Sequence, residues 1–302
     1  MFNKIIAASL PYMPKKLVWI FSKRYIAGET INDAIKASKE LNDQGIKVTI
    51  DLLGEFIENL SQATENRDAY LNVIEAFEKN KIDGNYSVKP TFFGLLIDPE
   101  VCYENIRTVV AKAAEYNNFI RIDMEDSSCV DQEIDIFRRL KKEFPRHVGL
   151  VVQAYLRRTF SDLNNMLDLK NGTNLNYRLC KGIYVEPKEI AYKKYEEVNE
   201  NYIKDLDFIL QNGIYPGIAT HDKNLIQAAY DLLEKYDVPK DKYEFQMLYG
   251  VTPELRQSIL DKGHTMRVYV PFGKDWFGYS TRRLNENPKM AMLIIKALFK
   301  RG

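Results

Sequence analysis

Short apolar segments of this chain carry ionisable residues that a purely structural strand does not need. Asp51 lies in KVTIDLLG (Lys47–Gly54), Lys89 in SVKPTFFGL (Ser87–Leu95), and Arg121, Asp123 and Glu125 in FIRIDMED (Phe119–Asp126). Gln153 stands near the end of VGLVVQAY (Val148–Tyr155), Arg178 and Lys181 in YRLCKGIY (Tyr177–Tyr184), and His221 at the end of YPGIATHD (Tyr215–Asp222). Glu244 and Gln246 occupy YEFQMLYG (Tyr243–Gly250), and Arg267 and Tyr269 occupy MRVYVPFG (Met266–Gly273). Charged side chains are rarely buried unless paired, so each alone reads as half of an inter-strand ion pair. Arg121 and Glu125 in particular read as pairs with neighbouring strands. Taken together, polar groups delivered to one end of many strands converge on a single concave site.

A second cluster closes the chain in YSTRRLNENP (Tyr279–Pro288). On a helix Tyr279, Arg282 and Glu286 share a face, with Arg283 turned away by about 100°. This is either a solvated face with one ion pair or a guanidinium fork for a small carboxylate, for which adjacent arginines offer planar, bidentate donors.

The elements that would position these groups alternate. Between the apolar segments lie ENIRTVVAKAAEY (Glu104–Tyr116), QEIDIFRRLKKEF (Gln132–Phe144) and NLIQAAYDLLEKY (Asn224–Tyr236), each with apolar residues three and four apart, the helical period. Eight strand-helix units in roughly 250 residues predict a parallel α/β sheet closed into a TIM-type (βα)8 barrel. An open doubly wound sheet is the competitor, but no GxGxxG follows the first strand. Residues 1–46 read as an N-terminal helical arm and 47–302 as the barrel, with no linker or low-complexity tract dividing the chain.

Composition narrows the function classes. The 302 residues are 45% hydrophobic and 28% charged, with 43 Lys and Arg against 42 Asp and Glu, so no global field recommends nucleic acid. Three scattered cysteines and three scattered histidines offer neither a disulfide framework nor metal-ligand spacing, and a reducing cytoplasm is the simplest compartment. Apolar patches before Ala27 are broken by Pro11 and Pro14 and are too short for a signal core or a spanning helix. They read as amphipathic helices packed on the body, with attachment to a membrane surface as the alternative.

The motifs RLCKGIY, ATHD, EFQMLYG, RVYVPFG and YSTRRLNENP, with SVKPT, RIDMED and VVQAYLRRT, resemble the proline dehydrogenase family. They run in order from Ser87 to Pro288, one in each of the last seven strands. The resemblance implies a distorted (βα)8 barrel that binds FAD noncovalently and oxidises L-proline to 1-pyrroline-5-carboxylate. Electrons pass to a membrane quinone, and the product passes to a separate pyrroline-5-carboxylate dehydrogenase. By the same resemblance Arg178 lies near the flavin nitrogen that accepts hydride, and Asp123 is the carboxylate of the active centre. Met124, Gln153, Lys181, Gly182, Ile183, Thr220 and His221 hold the flavin. Lys89, Arg282 and Arg283 take the proline carboxylate, Tyr269, Tyr279 and Leu248 line the ring pocket, and Glu286 orders the arginines. Cys180, Ile183 and Gly278 depart from the residues usual in the family. A quinone acceptor implies a cytoplasmic protein with peripheral contact at the inner face of the membrane. Two other classes fit parts of the chain: an aldolase-like barrel with Lys181 or Lys89 as Schiff base, and a non-catalytic scaffold held at a membrane by its basic, apolar arm.

Overall fold

The computed structural model describes residues 18–280 apart from 20, 21, 171 and 173; Arg282, Arg283 and Glu286 lie outside them. Strands β1 (Lys47–Leu52), β2 (Gly84–Val88), β3 (Ile120–Ile122), β4 (Val148–Gln153), β5 (Asn176–Cys180), β6 (Tyr215–Ala219), β7 (Glu244–Leu248) and β8 (Met266–Phe272) form a closed barrel in sequence order. Each pairs in parallel with its neighbour, and β8 returns to β1 in register from Lys47 opposite Arg267 to Leu52 opposite Phe272. Helices α1 (Ile31–Asn42), α2 (Leu60–Lys79), α3 (Pro99–Glu115), α4 (Val130–Glu143), α5 (Thr159–Asn165), α6 (Tyr195–Gln211), α7 (Lys223–Lys235) and α8 (Pro253–Asp261) complete the described crossovers and the helix before β1.

Local chemistry starts these helices where the chain must turn. Thr30 and Asp33 form a reciprocal capping box at α1, as Asn59 and Gln62 do at α2. Asp98 caps α3 by accepting from the backbone of Glu100 and Val101, with Pro99 preset for the first turn. The apolar stripe of α4, with Val130, Ile136, Phe137 and Leu140 buried, packs onto β4.

The barrel departs from eightfold regularity at its seam. Helix α1 precedes the barrel in sequence yet packs on β1 and β8, and Ala34, Ile35 and Leu41 join the main core. It fills the outer slot that a helix following β8 takes in a regular barrel. The chain after β8 instead turns helical over residues 276–280, where Trp276 and Tyr279 build a second apolar cluster with Val18, Tyr25, Ile26 and Leu53. The segment entering α1 is tied to the end of β8 by Ala27 N–H to Pro271 O at 3.0 Å and Gly273 N–H to Gly28 O at 3.0 Å. Among the described residues no helix is long and apolar enough to cross a membrane.

Two expectations need correction. The second strand lies earlier than predicted, because Pro90 lacks an N–H for the ladder and Pro90–Phe93 curl into a 3-10 turn closed by Gly94 at φ 97°. Arg121 and Glu125 are not ion-paired among the described residues. Arg121 donates to the carbonyls of Leu150 and Asn176 at 3.3 and 2.8 Å and to Asn176 Oδ1 at 2.5 Å. Glu125 accepts from the backbone and hydroxyl of Thr91 at 2.8 and 2.6 Å, so it fastens the β2 loop to the β3 loop.

Behind Glu125 sits Glu133, fully buried, whose Oε1 accepts from the Glu125 N–H at 2.9 Å while Oε2 has no partner. Burial pushes the Glu125 carboxyl up to about 7, and burial together with Glu125 pushes Glu133 well above the carboxylate range. The folded chain therefore holds protons that the unfolded chain has released, and stability falls as pH rises from the ordinary carboxylate range toward and past 7. Glu133→Gln removes one of these groups. Its unfolding free energy relative to the parent chain should climb between about pH 5 and pH 8, by at most about 1.4 kcal/mol per pH unit. A difference that stays flat across that range would mean that Glu133 is not held neutral.

Candidate active site

At the C-terminal ends of the strands the barrel opens into a cavity of about 540 Å³, within the range of small-molecule sites. The strands stop just short of most of the groups that face it. Lys89 follows β2, Asp123 and Met124 follow β3, and Lys181, Gly182 and Ile183 follow β5. Thr220 and His221 follow β6, so His221 lies in the loop and not in the strand. Gln153, Arg178, Leu248 and Tyr269 reach the cavity from the strands themselves, and Tyr279 covers it from the segment after β8. Every site residue that the resemblance implies within the described part of the chain thus lines one cavity, whereas the strand residues Asp51, Arg121, Glu125, Glu244 and Arg267 do not.

Asp123 organises the floor. Its Oδ1 accepts from Arg178 Nη1 at 2.8 Å and from Ser87 Oγ at 2.5 Å; its Oδ2 accepts from Tyr269 OH at 2.8 Å and stands 3.5 Å from Lys89 Nζ. Burial alone would raise this carboxyl, but Lys89 and Arg178, aided by the hydrogen bonds, outweigh it and hold Asp123 below the usual range. Asp51, deeper in β1 and fully buried, differs. It has Lys89 Nζ at 2.9 Å, and burial pushes its carboxyl up against that pull. The two carboxylates flanking Lys89 are thus driven apart by their surroundings. Lys89 also donates to Tyr269 OH at 3.1 Å. Burial works against its ammonium, yet Asp51, Tyr269 and Asp123 together hold its pKa well above the ordinary value.

The neighbouring wall, from the ends of β4 to β6, is built for a ligand with polar edges. Gln153 donates through Nε2 to the carbonyls of Glu125 and Met124, at 2.7 and 3.3 Å, which fixes the orientation of the amide. That oxygen is buried and has no partner among the described residues. Gly182 sits at φ 102°, and a Cβ there would come 2.1 Å from Tyr155 Cδ1, so only glycine closes this turn. Lys181 is locked by Asp222, whose Oδ2 takes Lys181 Nζ at 2.7 Å, Tyr195 OH at 2.5 Å and Asn199 Nδ2 at 3.2 Å. Burial opposes ionisation of Asp222, but these bonds hold its carboxyl well below the usual range. Both ring nitrogens of His221 are engaged: Nε2 accepts the Leu248 N–H at 3.2 Å, which leaves Nδ1 to donate to Thr252 Oγ1 at 3.1 Å. Ile183 lines the cavity and is 39% exposed.

Several cavity residues have no part in the expected set. Tyr184 and Asp222 line the cavity from within KGIY and ATHD, so their motifs were the available signal, while Gln246, expected only as a polar strand residue, lines it from β7. Glu55, in the loop after β1, also lines it, in a segment without a motif.

A family model described as proline dehydrogenase matches residues 34–293. Proline dehydrogenase 1 of Bacillus subtilis subsp. natto is 36% identical over 280 residues, covering 93% of this chain and 91% of that protein. Proline dehydrogenase of Deinococcus radiodurans is 36% identical over 292 residues, covering 95% and 93%. Among solved structures, proline utilization A from Bdellovibrio bacteriovorus inactivated by N-propargylglycine superimposes with a TM-score of 0.83 at 27% identity, covering 88% of this chain and 32% of that longer one. A barrel of this topology, matched along nearly its whole length, belongs to the proline dehydrogenase family.

Proposed function

We propose that this chain oxidises L-proline to 1-pyrroline-5-carboxylate with FAD in the cavity, and that a membrane quinone accepts the electrons. The observation that carries the cofactor reading is the wall formed at the ends of β4 and β5. A buried Gln153 Oε1 with no partner among the described residues suits a ring N–H, and a fixed Lys181 ammonium at the cavity wall suits phosphate. Residues 181–183, Met124, Thr220 and the ring surface of His221 would hold the flavin. When bound, the flavin supplies a two-electron acceptor that no protein side chain provides.

The chain's own residues do the rest. Oxidation needs the ring carbon next to nitrogen held at the acceptor and the amine unprotonated, so that its lone pair forms the C=N bond as hydride leaves. Arg282 and Arg283 take the substrate carboxylate, with Glu286 ordering them. Lys89 joins them by exchanging one of its present partners, since Asp51 and Tyr269 already hold its ammonium. Tyr269, Tyr279 and Leu248 bound the ring by shape, which selects by only a few kcal/mol. Asp123, engaged by four groups, acts as a fixed counter-charge that orients Arg178, and Arg178 favours negative charge developing on the reduced acceptor. Residues 1–46 form the arm in this reading and 47–302 the catalytic unit, with the arm or the mouth meeting the inner face of the membrane and a separate dehydrogenase consuming the product. A Schiff-base barrel is disfavoured by the same geometry, because Lys89 is held as an ammonium between carboxylates and Lys181 is clamped by Asp222.

The purified chain should bind FAD and be bleached by proline in the absence of other acceptors. Lys181→Ala should lose flavin on gel filtration, and full occupancy in that variant would remove Lys181 from the cofactor site. Arg282→Met should keep flavin and raise the KM for proline at least tenfold, about 1.4 kcal/mol. An unchanged KM would take Arg282 out of carboxylate binding. Side-by-side reduction by proline, hydroxyproline and pipecolate decides which cyclic amine is preferred.

A further inference from the structure

Arg178 is gripped on two of its three nitrogens. Nη1 donates to Asp123 Oδ1 at 2.8 Å and to Ser87 Oγ at 3.2 Å, and Nε donates to Gln246 Oε1 at 2.6 Å. A planar guanidinium fixed at Nε and Nη1 has no rotation left. Its remaining nitrogen, Nη2, makes no hydrogen bond among the described residues, the guanidinium lies 5.1 Å over the Tyr269 ring, and Arg178 is a wall of the cavity. What Nη2 addresses is therefore set by the grip on the other two.

The grip at Nε is itself built from below. Gln246 Nε2 donates to Glu244 Oε1 at 2.6 Å, and because a carboxylate only accepts and an arginine only donates, the amide of Gln246 has one orientation. Glu244 is held in turn by Arg267 Nε at 2.7 Å, and Arg267 Nη1 donates to Val48 O at 2.8 Å in β1. The chain of bonds runs from the backbone of β1 through β8 and β7 to the arginine on β5.

Between β5 and β7 stands β6, and its contribution is a missing side chain. Gly217 is in register with Arg178 on one side and Glu244 on the other, and a Cβ on it would lie 2.4 Å from Gln246 Nε2. Arg178 and Gln246 meet across β6 because Gly217 leaves the space. A glycine in mid-strand weakens the strand, so its place there has a reason in this contact.

We propose that Gln246 is a positioning residue, which with Gly217 aims the free edge of Arg178 into the cavity and so sets how readily the bound flavin is reduced. This rests on the reading that flavin occupies the cavity beside Arg178. Removing the Gln246 oxygen leaves Nε unsatisfied and frees the guanidinium to turn, while the groups that would take proline's carboxylate and hold the cofactor remain in place.

The test uses the full chain with FAD bound, as Gln246→Met and Gln246→Leu, which remove the acceptor with two different shapes, and Gly217→Ala, which displaces it from the far side. Each variant should keep full flavin occupancy and a proline KM within about threefold of the parent, while kcat falls about tenfold or more. The flavin's midpoint potential should move negative by about 30 mV, the equivalent of tenfold in a two-electron equilibrium. A purely structural role would lower Tm and leave the potential where it was. The inference is overturned if the potential is unchanged in both Gln246 variants, or if they fail to fold or lose flavin, which would assign Gln246 to the barrel or to cofactor binding instead. A parent chain that binds no flavin overturns the functional reading as well, and is told apart by that observation alone.

Discussion

Asp123 accepts hydrogen bonds from Ser87 at the end of β2, from Arg178 on β5 and from Tyr269 on β8, and it faces Lys89 as β2 gives way to its loop. A closed parallel barrel admits charge to its interior only where each charge is answered. Here one carboxylate answers two cations and draws four stretches of chain to one point. Without it, Arg178 and Lys89 would be like charges sharing a buried space. With it, they become a fixed polar floor beneath the cavity, and the depressed titration of Asp123 shows that the surroundings favour its charge over its burial.

The floor has a cost and a direction. Buried ion pairs add little net stability against an apolar core of the same shape, because desolvation consumes most of the attraction. A barrel filled only with aliphatic layers would be at least as stable. What the polar interior supplies is a field. Lys89, Arg121, Arg178 and Arg267 against Asp51, Asp123 and Glu244 leave one more cation than anion. Arg121 is the cation bonded to carbonyls and an amide instead of a carboxylate, and burial with its neighbours Arg178 and Arg267 lowers its pKa to about 9. That floor favours negative charge above it, such as a substrate carboxylate or a reduced acceptor, while along the cavity wall Lys89, Arg178 and Lys181 are matched by Glu55, Asp123 and Asp222.

Much of this was legible in the sequence, and the parts that were not share a physical cause. Alternating apolar runs separated by helical spacing gave away a parallel barrel, because no other closed arrangement buries eight such runs. Lys89, Asp123, Arg178 and Lys181 stood out as charges in places an aliphatic layer would not tolerate. Strand ends were less legible. Lys89 looked like a strand residue because Pro90 and the aromatic run after it keep an apolar pattern while the backbone curls into a 3-10 turn. Arg121 was misread because its partners are carbonyls of β4 and Asn176 of β5, and a carbonyl's availability depends on register that no single segment encodes. Asp222 was visible within ATHD, but its hold on Lys181 spans 41 positions. The residues at 282, 283 and 286 lie outside the described part of the chain, so their expected face is argued from helical spacing alone.

The seam of the barrel explains how the site is both enclosed and reachable. With α1 occupying the outer slot between β8 and β1, the chain leaving β8 is free to pass over the mouth. Its helical turn over residues 276–280 is pinned by Trp276, whose Nε1 donates to Glu29 Oε1 at 2.8 Å and whose ring packs against Trp19 at 4.6 Å between centroids. The anchor of the mouth-covering segment is thus made by residues that precede the barrel in sequence, and Tyr279 enters the cavity wall from that anchor. An arm that fastens the cover couples access to the cavity with the packing of the N-terminal segment. Val18, Trp19, Tyr25, Ile26 and Glu29, far in sequence from the polar floor, thus bear on the cavity wall through Trp276 and Tyr279.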